Sequence, residues 1–278
     1  MIWRTSRRTF DLADRGLIMG IVNVTPDSFS DGGHFARTDD AVAHALRLSD
    51  EGTDILDIGG ESTRPGAAAV TVEDELRRVI PVIEKLAGKT AAALSIDTSK
   101  AAVARAAAAA GAEIINDVTA LQGDDDMPRV AAESGCAVVL MHMQGTPRTM
   151  QLNPHYDDVV AEVAGHLAQR VAAARAAGIG PERIAIDPGI GFGKTVEHNM
   201  QLITGLGRFA ALGHPVLLGA SRKSFLATLA HCADVEDRDL PTAVLTALGY
   251  GFGARLFRVH AVHPNLQALR LAEALAAR

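Results

Sequence analysis

Cysteine is nearly absent from this chain. Only Cys136 and Cys232 occur among 278 residues, and neither sits in a C-x-x-C. Two isolated thiols exclude a disulfide framework and read as those of a reduced, intracellular protein, so the expected localisation is cytoplasmic. Positive charge is in deficit: 27 Lys and Arg stand against 33 Asp and Glu, a formal net charge of −6. That argues against a general nucleic-acid binder, which needs a basic face to neutralise phosphates. Local basic clusters can still hold a small anion. No apolar run reaches the ~18 residues of a membrane span. The opening "MIWRTSRRTFDLADRG" has arginines but no apolar core of a signal peptide. No G-x-G-x-x-G follows the first strand-like run, and no linker divides the chain, so residues 1–278 read as one domain.

What is present is a sizeable apolar content, 48%, arranged with a period. Eight short Ile/Val/Leu-rich runs recur, at 17–23, 53–60, 93–98, 113–119, 137–142, 184–190, 215–221 and 254–260. Each is followed by a helical pattern. Runs that are apolar throughout suit a parallel sheet covered on its outer face. Leu76, Val79, Ile80, Ile83 and Leu86 predict one face of the second helix, and Leu202, Ile203, Leu206 and Phe209 a face of the sixth. Thr71 with Asp74 resembles a capping box. Gly111, Gly135, Gly178 and Gly213 stand where helices need a left-handed last residue. Pro81 lies inside a helical pattern and predicts a kink. Eight β-then-α units point to a (β/α)8 barrel, with a doubly wound open sheet as the alternative. Residues 1–16 predict a small hairpin closing the barrel bottom.

The strand bodies are apolar and their C-terminal ends polar: Asn23, Asp57, Asp97, Asn116, His142, Asp187, Ser221, and Arg258 with His260. In a barrel these ends meet at one mouth, where active sites are built. Not every one is a site residue. Asp57 is equally well explained by pairing with Arg64 or a backbone amide, and His142 by the core. Thr98 and Ser99 predict a cap on the following helix. Of Met141 and Met143, at most one faces the mouth. "SRKSF" and "RVH" place Arg222, Lys223, Arg258 and His260 at the last two strand ends, where barrels commonly bind phosphate. Asp97, Asn116 and Asp187 offer acceptors that suit the N–H-rich edge of a flat heterocycle. One mouth thus has an anion half and a heterocycle half. "DPGIGFGKT" puts Phe192 and Lys194 on a Gly-rich turn that lacks P-loop spacing.

Together "MGIVNVTPDSFSDGG", "DIGGESTRPG", "SIDT", "INDV", "MHMQGTP", "DPGIGFGKT", "GASRKSF" and "RVH" resemble the dihydropteroate synthase family, from about Phe10 to the C-terminus. The resemblance implies a TIM-barrel homodimer of folate synthesis that joins 4-aminobenzoate to a dihydropterin methyl diphosphate, with Mg2+ as cofactor. It implies that Asp97, Asn116, Met141, Asp187 and Lys223 hold the pterin, with Arg258 stacked over it. Asn23, Arg64, Arg258 and His260 would hold the diphosphate, and Asn23 also the Mg2+. Thr63, Pro65, Phe192 and Ser221 would surround the aminobenzoate, and Phe29, on a lid loop beyond Asn23, would wall it. Asp97, Lys223, Arg258 and His260 are the groups implied in catalysis. Two departures stand out: the family's usual R-V-H-D-V reads "RVHAV" here, with Ala261, and "RDLPTAVLTALGYGFGA" lacks a Gly-Ser/Thr after its Arg. Two other readings stay open, a non-catalytic pterin-binding paralogue and a corrinoid-linked methyltetrahydrofolate methyltransferase.

Overall fold

A computed structural model describes residues 1–25, 34–63 and 66–277, with residues 34–37 described by their backbone only. Ile2–Arg4 (β1) and Thr9–Asp11 (β2) form the antiparallel hairpin that the sequence predicts. Eight strands then run parallel: Leu17–Asn23 (β3), Ile55–Gly59 (β4), Ala93–Asp97 (β5), Ile114–Asp117 (β6), Ala137–Met141 (β7), Ile184–Asp187 (β8), Leu217–Leu218 (β9) and Leu256–Val259 (β10). Their order is β8-β7-β6-β5-β4-β3-β10-β9, and a bridge between Ile186 and Val216 joins the two outer strands. The sheet is therefore a barrel, not an open sheet. Apart from β3, the strands end earlier than the apolar runs suggest, because the last residues of those runs leave the ladder to make the loops of the mouth.

Helices alternate with the strands: His34–Asp50 (α1), Val72–Leu86 (α2), Ala101–Ala110 (α3), Met127–Ser134 (α4), Val159–Ala176 (α5), Val196–Thr204 (α6), Leu206–Ala210 (α7), Ser224–Ala230 (α8), Asp239–Gly251 (α9) and Val262–Ala276 (α10). α2 runs on through Pro81, with Val79, Val82, Ile83 and Leu86 fully buried. The packing of that face offsets the one hydrogen bond that proline removes. The predicted sixth helix is two, α6 and α7, parted at Gly205. Gly111, Gly135, Gly178 and Gly213 all have positive φ, as their places predict. Thr71 caps Asp74 N–H, but its hydroxyl donates to the Asp74 carboxylate and the reciprocal bond of a box is not made. The cap foreseen for α3 is different too. Asp124 accepts from Ala101 N–H at 2.9 Å, reaching over from the next βα loop, while Thr98 accepts only from Lys100 N–H.

Inside the barrel, period-2 alternation sets what faces the axis. Leu17, Met19, Ile55, Ala93, Ile114, Ala137, Val139, Ala185, Leu217 and Leu256 form one interior cluster, with Trp3 and Leu12 from the hairpin segment packed beneath it. The same parity continued toward the strand ends gives Asn23, Asp57, Asp97, Asn116, Met141, Asp187 and Arg258. The interior is thus apolar at the bottom and polar at the mouth.

Candidate active site

Register puts Asn23, Gly59, Asp97 and Asn116 side by side on four successive strands. Met141 lies opposite Asp187. Arg258 comes from the far wall and bridges two carboxylates: Nε donates to Asp57 at 2.6 Å, and Nη2 to Asp97 at 2.7 Å. Asn116 Nδ2 donates to the same Asp57 oxygen at 3.0 Å. Asp57 is completely buried. It is therefore the anchor that holds Arg258 and Asn116, and Arg258 and Asn116 are its partners among the described residues.

Burial raises the Asp97 pKa, and Asp57 adds to this while Arg258 opposes it. Burial also raises Asp187, against the pull of Lys223 and of the Gly189 N–H that its Oδ1 accepts at 2.7 Å. Each of these two carboxylates thus keeps its second oxygen available for a buried N–H donor. Lys223 closes the group. Its ammonium donates to the Ile190 carbonyl and lies 4.4 Å from the centre of the Phe192 ring. Burial lowers its pKa to about 8, with Asp187 opposing and Arg258 adding to the shift. Glycines keep the mouth open. A Cβ at Gly59 would lie 3.5 Å from Asp97, and one at Gly219 would lie 3.6 Å from the Asp187 carboxylate.

On the other side, Ser221 Oγ and His260 Nδ1 are 3.0 Å apart, and His260 N–H donates to the same hydroxyl at 3.1 Å. Arg222 does not join them. Its φ of +57° turns the side chain outward, where its guanidinium forks onto Asp239 with two bonds of 2.7 Å. His142 has the parity opposite to Met141. It faces away from the axis, its ring edge-on to His166 and its Nδ1 3.1 Å from Lys194 Nζ. Burial, together with Lys194 and His166, lowers its pKa to about 3. Met141 is inward by parity and lies at the mouth; Met143 has the same parity but falls beyond the end of β7, so alternation does not separate the two as expected.

The chain is similar over nearly its whole length to proteins of known identity. The profile of the family described as "Pterin binding enzyme" matches residues 19–260. Dihydropteroate synthase of Escherichia coli strain K12 is 47% identical over 259 residues, covering 92% of this chain and 90% of that protein. A crystal structure of Xanthomonas albilineans dihydropteroate synthase with 4-aminobenzoic acid superposes with a TM-score of 0.93 at 50% identity, covering 100% of this chain and 98% of the other.

The chain belongs to the dihydropteroate synthase family.

Another Xanthomonas albilineans member, in complex with 7,8-dihydropteroate, matches at 47% identity and a TM-score of 0.91 over the full length of both chains. Of the family positions picked out in the sequence, Asn23, Asp97, Asn116, Met141, Asp187, Phe192, Ser221, Lys223, Arg258 and His260 lie around this mouth. Thr63 lies in the loop after β4. Phe29, Arg64 and Pro65, with the lid reading of the loop beyond Asn23, fall outside the described residues. Of the residues beside them, the sequence marks Lys194 only as part of a Gly-rich turn, leaves Asp57 open between the mouth and a structural pairing, and does not mark Asn199. Asp57 has the inward parity of Asp97, a signal that was there to use.

The departure at Ala261 falls on the N-cap of α10, which receives no side-chain cap there. An aspartate at an N-cap accepts the first free helix amides, worth about 1 kcal/mol. Glu51 supplies part of this from the end of α1, accepting from His263 N–H at 3.2 Å. The next residue, Pro264, has no N–H to cap. The other departure lies at the start of α9. There Arg238 donates to the carbonyls of Arg222 and Ala233, and Asp239 holds Arg222.

Proposed function

We propose that this protein joins 4-aminobenzoate to (7,8-dihydropterin-6-yl)methyl diphosphate, releasing diphosphate and 7,8-dihydropteroate for folate synthesis. The observation that carries the reading is the buried set Asp97, Asn116 and Asp187, with half-buried Lys223, facing Arg258 and His260 across one barrel mouth. Carboxylates and an amide that are short of partners match the N–H edge of a reduced pterin. The cationic corner matches the diphosphate. The relatives of this length bear the name of that enzyme.

The step is a displacement of SN1 character. The C–O bond to diphosphate breaks first, its electrons leaving with the anion toward Arg258 and His260. The exocyclic cation is stabilised by the pterin ring and by Asp97. The amine of 4-aminobenzoate then forms the new C–N bond and loses a proton. Positioning and electrostatic stabilisation supply the rate, and no side chain needs to become a nucleophile. For Mg2+, no cluster of three or more His, Cys, Asp or Glu side chains among the described residues is arranged to hold a metal ion. Asn23 contributes one carboxamide oxygen at the end of β3, which fits an ion held largely by diphosphate oxygens, the usual habit of Mg2+. There it would neutralise leaving-group charge. The two free thiols fit the cytoplasm as its place.

The test is turnover of purified protein with both substrates. Formation of 7,8-dihydropteroate supports the reading. Pterin binding without product would favour the non-catalytic alternative.

A homodimer is part of the same proposal. Leu240, Val244, Leu248 and Phe252 recur every four residues along α9, and Leu271 and Leu275 do so on α10, all exposed. α9 and α10 pack against each other more extensively than any other pair of elements. Exposed apolar residues on two neighbouring helices suit a second copy of the chain around a two-fold axis. Light scattering should give twice the 29.1 kDa chain mass, falling to one chain for Leu248→Lys; a monomeric parent would sink this part.

A further inference from the structure

The loop from Pro188 to Thr195 has no regular hydrogen bonding, yet five successive carbonyls each receive a donor. Phe192 N–H donates to Gly189, Lys223 to Ile190, Gln151 to Gly191, Lys194 to Phe192 and the Tyr156 hydroxyl to Gly193. Asn199 accepts from Gly191 N–H at 2.7 Å. Four of the five donors are side chains, three from outside the loop and one, Lys194, from within it, so the loop's path is set by side chains and not by a regular backbone ladder. Two of those donors are lysines, Lys194 buried and Lys223 half-buried. Lys223 belongs to the pterin half of the mouth. Lys194 has no part in the reaction as proposed.

Lys194 is 3% exposed and lies under the loop. Its Nζ donates to the Phe192 carbonyl at 2.8 Å and meets His142 Nδ1 at 3.1 Å. Burying a lysine costs stability, and burial lowers the pKa of this one to about 7, with Asp187 opposing and Lys223 adding to the shift. An apolar side chain of the same length would fill the space without that cost. The Phe192 ring, carried on the carbonyl that Lys194 grips, covers Lys223.

We propose that Lys194 is a positioning residue: from beneath the loop it fixes the Phe192 backbone, and so sets the wall of the aminobenzoate subsite. The inference rests on the proposed reaction. Lys194 touches neither reacting group and acts through Phe192.

The test compares the parent with Lys194→Met in steady-state kinetics between pH 6 and 8.5. The Michaelis constant for 4-aminobenzoate should rise about tenfold in the variant, equivalent to about 1.4 kcal/mol. That for the pterin diphosphate should change less than threefold, and Tm should stay within a few degrees of the parent or exceed it. A second readout separates positioning from packing. In the parent, the aminobenzoate Michaelis constant should climb as pH rises through about 7, because the ammonium that grips the Phe192 carbonyl loses its charge; in Lys194→Met that climb should vanish. The groups facing Lys194 are His142 after β7, His166 on α5, His198 on α6, Asp187 on β8 and Lys223 before α8. Of the three histidines, His142, with its pKa lowered to about 3, stays neutral over this range, and burial lowers those of His166 and His198 as well. Lys223 titrates higher, near 8, and its effect persists in the variant. Equal rises in both Michaelis constants, or no rise in either, would overturn the proposal. If Lys194→Met does not fold, a flat aminobenzoate profile of the parent across pH 7 overturns it alone. Absence of product from the parent would instead count against the proposed reaction.

Discussion

Asp97→Asn should lower kcat/KM by at least 10²-fold while leaving the fold intact, and Lys223→Ala should do the same. Asp97 is the one mouth carboxylate that serves both halves of the site. One oxygen holds Arg258, and in the proposed reaction the other would meet the pterin edge. The amide keeps the shape but removes the negative charge that would stabilise an exocyclic cation. Loss of a charged partner at the mouth costs about 2.7 kcal/mol or more of transition-state binding, the equivalent of the 10²-fold floor. The fold should survive because Arg258 retains Asp57, to which its Nε is bonded at 2.6 Å. Truncating Lys223 removes a half-buried cation that pays a desolvation penalty in the free protein, in keeping with its pKa lowered to about 8 by burial. Stability should therefore change little. Steady-state kinetics with thermal melts decide the matter: either variant within twofold of the parent would remove that residue from the site.

Gly189→Ala should destabilise the protein by about 3 kcal/mol or more and abolish turnover. The position has φ of +70°, and an added Cβ would lie 1.8 Å from the His142 carbonyl oxygen. Backbone cannot be pushed aside as a flexible side chain can, so the loop must lift off the segment after β7. That would carry Phe192, Lys194 and the Ile190 carbonyl away together. Gly88→Ala is the control. Its φ of +75° imposes the same backbone strain, but nothing lies within 4 Å of the added Cβ. The strain alone is worth about 1 kcal/mol. At roughly 2–4 °C per kcal/mol for a chain of this size, the two variants should differ in Tm by at least about 5 °C. Equal melting temperatures would mean that the loop yields freely, and that its close approach to residue 142 is not a constraint.

The barrel was legible because its signal is repetitive. Eight apolar runs, each followed by a helical pattern, leave few architectures, and the polar residue at the end of each run marks the mouth. Asn23, Asp97, Asn116 and Asp187 could be picked out from strand ends and parity. Arg222 could not be excluded that way. Its outward turn comes from a positive φ after β9, a strand of only two residues whose end the sequence does not announce. Nor does the sequence show where α10 begins; the structure places Ala261 at its N-cap.

The sequence by itself determined the (β/α)8 architecture, the hairpin beneath it and which side chains share the inward parity, since these follow from alternation within single segments. Only the tertiary structure decided which inward residues pair. Arg258 meets Asp57 and Asp97 across 201 and 161 residues of chain, on strands brought together by barrel closure. It also decided that Lys194 turns under its own loop and that Asp124 caps the helix of the preceding unit. Periodicity records which face of a strand or helix is buried. It carries no record of the partner found there, because the partner is set by how the strands close and by where the irregular loops cross.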